Sequence, residues 1–137
     1  MNGLAAVLAG ALPALTYRYP APDLDDLAAA LGAPSWQVGR LAGAATKADV
    51  LAGLGESLDF GEHYGANLDA LADCLADLDG DRVLLWQDWA LLAEGEPRVF
   101  ATVLEILGEH QAAARRGRLL VLLCGEGPEQ PPVPYLI

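Results

Sequence analysis

Basic residues are scarce: 8 Lys and Arg stand against 19 Asp and Glu in 137 residues, a formal net charge of -11. That deficit argues against nucleic acid and anionic membrane as partners, since both select for surplus cations. Cysteine is nearly absent, with only Cys74 and Cys124 and no CxxC pair. This excludes a disulfide scaffold. Both cysteines lie in apolar stretches and read as small buried hydrophobes of a reducing, cytoplasmic compartment, with a long-range disulfide left open. No uncharged apolar run reaches the roughly 18 residues of a membrane span. The apolar start "MNGLAAVLAGALPAL" contains Ala9-Gly10-Ala11, which resembles a signal-cleavage triplet. The first basic residue, however, is Arg18, so the charged leader region is missing, and an N-terminal helix or loose arm is expected instead. Also lacking are GxSxG, a P-loop, HExxH and a Cys-His pair of recognisable spacing. His63 and His110 could in principle be acid and base, with Asp69 orienting one of them, but lone histidines are more often surface or capping residues. The chain reads as no enzyme.

What is present is apolar and periodic. Hydrophobic residues make up 53%, the composition of a globular domain. A short helix within residues 1–15 ends by Pro13, and "TYRY" (Thr16 to Tyr19) alternates like an edge strand before Pro20. Asp23 to Leu31 reads as a helix with Gly32 as its stop. "SWQVGRLAG" reads as a strand interrupted by Gly39. Thr46 caps a helix whose core face is Val50, Leu51, Leu54 and Leu58, with Asp49 in the place of a capping-box Glu. After the loop "DFGEHYG", Asn67 caps a helix running to about Leu78. "RVLLW" is a buried strand. Pro97 stands at the first position of a long helix with Val99, Phe100, Val103, Leu104, Ile106 and Leu107 toward the core. Arg115 and Arg116 suit its C-terminal dipole and Gly117 its C′ position. "RLLVLLC" is a second buried strand. The Pro-rich tail from Gly125 is expected to be unpacked or polyproline-like. Continuous apolar strands joined through helices predict an α/β fold, a small parallel β-sheet flanked by α-helices.

The stretch "HYGANLDALADCLADLDG" (His63 to Gly80) carries two stripes. Leu68, Leu71, Leu75 and Leu78 form a core stripe bordered by Cys74. Asp69, Asp73 and Asp77, four apart, stack on another face. Like charges at that spacing repel by about 0.2–0.5 kcal/mol per pair, and no Lys or Arg lies between Lys47 and Arg82 to offset them. The row is mildly costly to the fold. It is either a solvated face or one that meets a cationic partner. A metal is not expected: "DLDGD" places Gly80 fourth and has no Glu at the twelfth place, unlike a calcium loop. No cofactor is implied.

The run Tyr64, Gly65, Ala66, Asn67, Leu68, Asp69, Ala70, Leu71, Ala72, Asp73, Cys74, Leu75 closely resembles the signature of the barstar family of intracellular ribonuclease inhibitors. The order of strands and helices agrees over about residues 35–124. The resemblance implies a barstar-like domain at 35–125, an N-terminal extension at 1–34 and a Pro-rich C-terminal tail at 126–137. It also implies inhibition of a small basic extracellular-type ribonuclease inside its producer. Asp73 would take the place of a substrate phosphate, and Asp69 would meet a neighbouring cation. Glu109 would add a carboxylate from the later helix, with Glu105 as the alternative. Asn67, Gly65, His63, Tyr64, Ala72 and Asp77 complete the expected contact set, on a protein that is monomeric when free. The alternative is a barstar-fold module for another basic partner or toxin. Three positions depart from the family pattern: His63 and Ala72 stand where an aromatic is common, and Gly61 stands where Pro is common.

Overall fold

The computed structural model describes residues 3–20, 25, 36–113 and 116–136. The helix expected over Asp23 to Leu31 lies outside these residues, apart from Asp25, and so does Arg115. In chain order come α1 (Gly3–Leu8), β1 (Thr16–Tyr19), β2 (Trp36–Leu41), α2 (Lys47–Ser57) and α3 (Leu68–Ala76). Then follow β3 (Asp81–Gln87), α4 (Trp89–Gly95), α5 (Pro97–Ala113) and β4 (Leu119–Cys124). The four strands form one parallel sheet in the order β1-β4-β3-β2. The parallel α/β architecture is as the sequence predicts, with "TYRY" as an edge strand. The short helix α4 was not expected; its seven residues "WALLAEG" are too few to show helical periodicity.

Alternation along the strands divides the core in two. Leu84 and Trp86 of β3, with Leu119, Val121 and Leu123 of β4, face α2, α3, α4 and α5. Val83, Leu85, Leu120, Leu122 and Cys124 face the other way, where Val7 of α1, Tyr17 and Leu136 cover them. Buried on both sides, all six β4 residues are apolar or cysteine, as a covered parallel strand requires. Neither cysteine is in a disulfide, and burial pushes the Cys124 thiol up to about 11.

Helix starts follow local chemistry. Thr46 caps α2 by accepting from the Asp49 amide (3.2 Å), while the Lys47 amide donates to the Glu96 carboxylate (2.7 Å). A residue from the α4–α5 corner thus takes a first-turn amide of α2 that a capping box leaves unassigned. Two glycines mark close approaches. A Cβ on Gly39 would strike the Ser57 carbonyl, so this glycine lets β2 lie against the end of α2. A Cβ on Gly117 would strike the backbone of Gly80. Gly117 is not in the left-handed region, so its expected role as a C′ residue is replaced by this steric one.

The tail is packed, contrary to expectation. Tyr135 bridges to Arg18 on the free edge of β1, Leu136 is buried, and Val133 packs on the first core. Open hydrogen-bonding groups on the β1 edge, and the apolar Val133 and Leu136, outweigh the extended preference of the intervening prolines.

Candidate functional site

The acidic helix α3 is delivered by a loop that is itself anchored. The Tyr64 hydroxyl donates to the Leu51 carbonyl (2.8 Å), and its ring packs edge-on against Phe60 at 5.0 Å. Gly55, inside α2, leaves room for that ring. Burial, with Cys74 nearby, pushes the Tyr64 hydroxyl up to about 12, so it stays a protonated donor. Tyr64 is half-buried and serves first as the pin of the loop.

Past the pin, Ala66 takes a left-handed backbone (φ 51°), which costs a non-glycine residue on the order of 1 kcal/mol. The turn sets Asn67 as N-cap, its side chain accepting from the Ala70 amide at 2.8 Å. The capping role expected of Asn67 is observed. A Cβ on Gly65 would come within 3.2 Å of the Asn67 amide nitrogen, so Gly65 leaves the cap unobstructed.

Beyond the cap, α3 buries Leu71 and Leu75 completely and leaves Asp69, Ala72 and Asp73 exposed. The helix is shorter than expected. Asp77 is its C-cap rather than a residue within it, and Leu78 follows outside. Here the turn gives way to the "DG" before β3. The row is therefore two helical carboxylates plus a third at the helix end, where the dipole disfavours an anion. Among the described residues no ion pair involves Asp69, Asp73, Asp77 or Glu109. His63, Gly65 and Asn67 are exposed alongside.

The α5 helix packs beside α3, and an open groove of about 480 Å³ lies between them. Ala72 and Ala76 line it from α3, Ile106, Glu109 and His110 from α5. Burial lowers the pKa of His110. Glu105 instead lines a depression with Pro131 to Pro134 of the tail. The geometry thus groups Glu109, and not Glu105, with α3. Among the described residues, no three His, Cys, Asp or Glu side chains are grouped as a metal site.

Sequence reasoning missed Phe60 and Gly55 as supports of the loop. A glycine in the middle of α2 was the available signal, because an interior helical glycine costs stability unless something needs the space.

The sequence model described as Barstar (barnase inhibitor) matches residues 38–124, more than half of the chain. The chain belongs to the Barstar family. The Barstar match starts within β2 and ends with β4, taking in the pinned loop, α3 and Glu109, while α1, β1 and the tail lie outside it. Comparison with curated proteins gives no match.

Proposed function

We propose that this Barstar-family chain is a proteinaceous inhibitor of a small basic ribonuclease, occupying the enzyme's active site with α3 in place of RNA phosphates. The observation that carries the reading is the pair Asp69 and Asp73. Both are exposed, with no ion-pair partner among the described residues, on a helix whose start is fixed by Asn67 and the Tyr64 pin. A ribonuclease must present cations to its substrate's phosphates, so carboxylates held rigidly at one surface are matched to that site. Rigidity matters because ordering a loose segment would subtract from affinity.

In this reading Asp73, near the middle of α3, enters the phosphate position, and Asp69 meets a neighbouring cation. Glu109 reaches the enzyme from α5, across the groove. His63, Gly65, Asn67, Ala72, Asp77 and the outer edge of Tyr64 form the surrounding contact. The protein works without a cofactor and is not itself an enzyme. It acts in the cytoplasm as an antitoxin to its producer's own nuclease.

The test is inhibition of RNA cleavage by barnase, the enzyme that the family description names, and by small basic ribonucleases of the producing cell. Stoichiometric inhibition lost in an Asp69→Ala, Asp73→Ala double variant is expected. Undiminished cleavage by all of them would overturn the proposal. A second reading, a module for some other basic partner, is favoured by the absence of aromatics at His63 and Ala72. It predicts capture of a basic protein that has no ribonuclease activity.

A further inference from the structure

Arg18 is the one charged residue among the described residues that is buried, at 4% exposure. It belongs to β1, outside the family match, and everything it grips with its charge lies outside that match too, except Trp89. Its guanidinium donates from Nη1 to Glu129 (2.9 Å) and from Nη2 to the Gly127 carbonyl (3.3 Å). It lies between two rings, 5.1 Å from the centre of Trp89 and 4.7 Å from that of Tyr135. Its backbone is equally engaged. The Arg18 amide donates to the Pro134 carbonyl (2.8 Å), and the Leu136 amide donates to the Arg18 carbonyl (2.9 Å). Gly127 lies so close to Trp89 that a Cβ there would enter the indole.

We infer that β1 and the tail 125–136 form a single clasp, closed through Arg18, that opens and recloses as one unit without disturbing α3. The physical reason is mutual dependence. A four-residue edge strand, hydrogen-bonded on one side only, is marginal; the tail supplies the missing partners on its free edge. The tail in turn has no helix and only a one-residue bridge of its own, so without β1 little holds it beyond Val133 on the first core and Gly127 against Trp89. Release of the tail would take Glu129, Gly127 and Tyr135 from the guanidinium and the Pro134 and Leu136 partners from the Arg18 backbone, which ties release of the tail to loosening of the strand. The α3 helix rests on the first core through the fully buried Leu71 and Leu75, and the tail touches that core only at its margin, through the partly buried Val133 and through Gly127 against Trp89. Opening the clasp leaves that seat intact. Closed, the clasp also shields the β1 edge from pairing with another chain.

Native-state hydrogen exchange on the full chain, followed across low denaturant concentrations, tests this. The amides of Arg18 and Leu136 are expected to share one opening equilibrium, at least about tenfold less protected than the amides of Leu71 in α3 and Val83 in β3. Arg18→Met keeps an apolar stem between the rings and removes the charge. Tyr135→Ala changes a half-exposed residue (48%) that folding does not need in the core. Each is expected to raise exchange at position 18 and at Leu136 by the same factor, about tenfold for Arg18→Met and about threefold or more for Tyr135→Ala. Unequal factors at the two amides, in either variant, would overturn the single clasp. Clasp amides as protected as Leu71 and Val83 in the parent protein would overturn its independence. If Arg18→Met does not fold, Tyr135→Ala alone decides.

Discussion

Asp73→Ala should make the protein more stable and less useful. Asp73 is exposed within α3, four residues from Asp69 and four from Asp77. Removing its charge relieves repulsion worth about 0.2–0.5 kcal/mol with Asp69, and less with Asp77, which lies outside the helix proper. Alanine also favours a helix interior over aspartate by about 0.5 kcal/mol. No hydrogen bond or ion pair of Asp73 opposes these gains among the described residues. The sum is about 1 kcal/mol of added stability. A chain of 137 residues unfolds with an entropy near 0.3 kcal/mol/K, so the melting temperature should rise by about 3 °C. The same substitution should cost more inhibition of barnase than Asp69→Ala or Asp77→Ala, because it strands enzyme cations that the carboxylate would have met. Circular-dichroism melting and an RNA-cleavage titration on one preparation read both effects. Inhibition within a factor of three of the parent's would refute the phosphate-mimic reading. A lowered melting temperature would refute the placement of Asp73 on a free face.

Association with the ribonuclease should slow steeply between 0.1 M and 1 M salt, as the Debye length falls from about 10 Å to 3 Å, while dissociation changes less; an on-rate flat in stopped flow over that range would refute charge-led encounter. Asp81 has its pKa lowered chiefly by its side-chain hydrogen bond to Arg118 (2.7 Å), so its contribution is present above the unfolded carboxylate pKa near 4 and is lost as pH falls through the lower folded value. Asp81→Asn should therefore cost about 0.5–1 kcal/mol near pH 7, the pair being partly solvent-screened, and flatten the acid limb of a urea-denaturation series; an unchanged limb would refute the linkage. Gly39→Ala should destabilise by about 2 kcal/mol or more through its clash with the Ser57 carbonyl, whereas Gly108→Ala, with open space at its Cβ inside α5, should stabilise by up to about 1 kcal/mol. Thermal unfolding separates the two, and equal shifts would refute the steric account.

What was legible in the sequence and what was not follow from how far apart the interacting residues lie. The stripe Leu71–Leu75, the Asn67 cap and Pro97 at the start of α5 all express contacts within a few residues, and each is where periodicity and capping rules put it. So are the strands "RVLLW" and "RLLVLLC", because burial on both faces writes itself as an unbroken apolar run. The unexpected α4 and the early end of α3 are local misses, set by a helix too short to show periodicity and by the turn before β3; the larger failures are pairings across the chain. Glu96 caps α2 from 49 residues away, Gly117 makes room for Gly80, and Arg18 holds a tail more than 100 residues downstream. None leaves a local pattern. An arginine in an alternating "TYRY" reads as the exposed member of an edge strand, and a run such as "EQPPVPYLI" reads as loose chain. Only their encounter makes both structural. The same logic bears on the candidate site. Asp69 and Asp73 could be placed on one face from spacing alone, whereas the choice of Glu109 over Glu105 required knowing which side of α5 meets α3 and which meets the tail. The tail thus marks the side of α5 turned away from the acidic helix. That division is the structural reason to expect the proposed inhibitory face to remain competent when the clasp on the β1 edge is open.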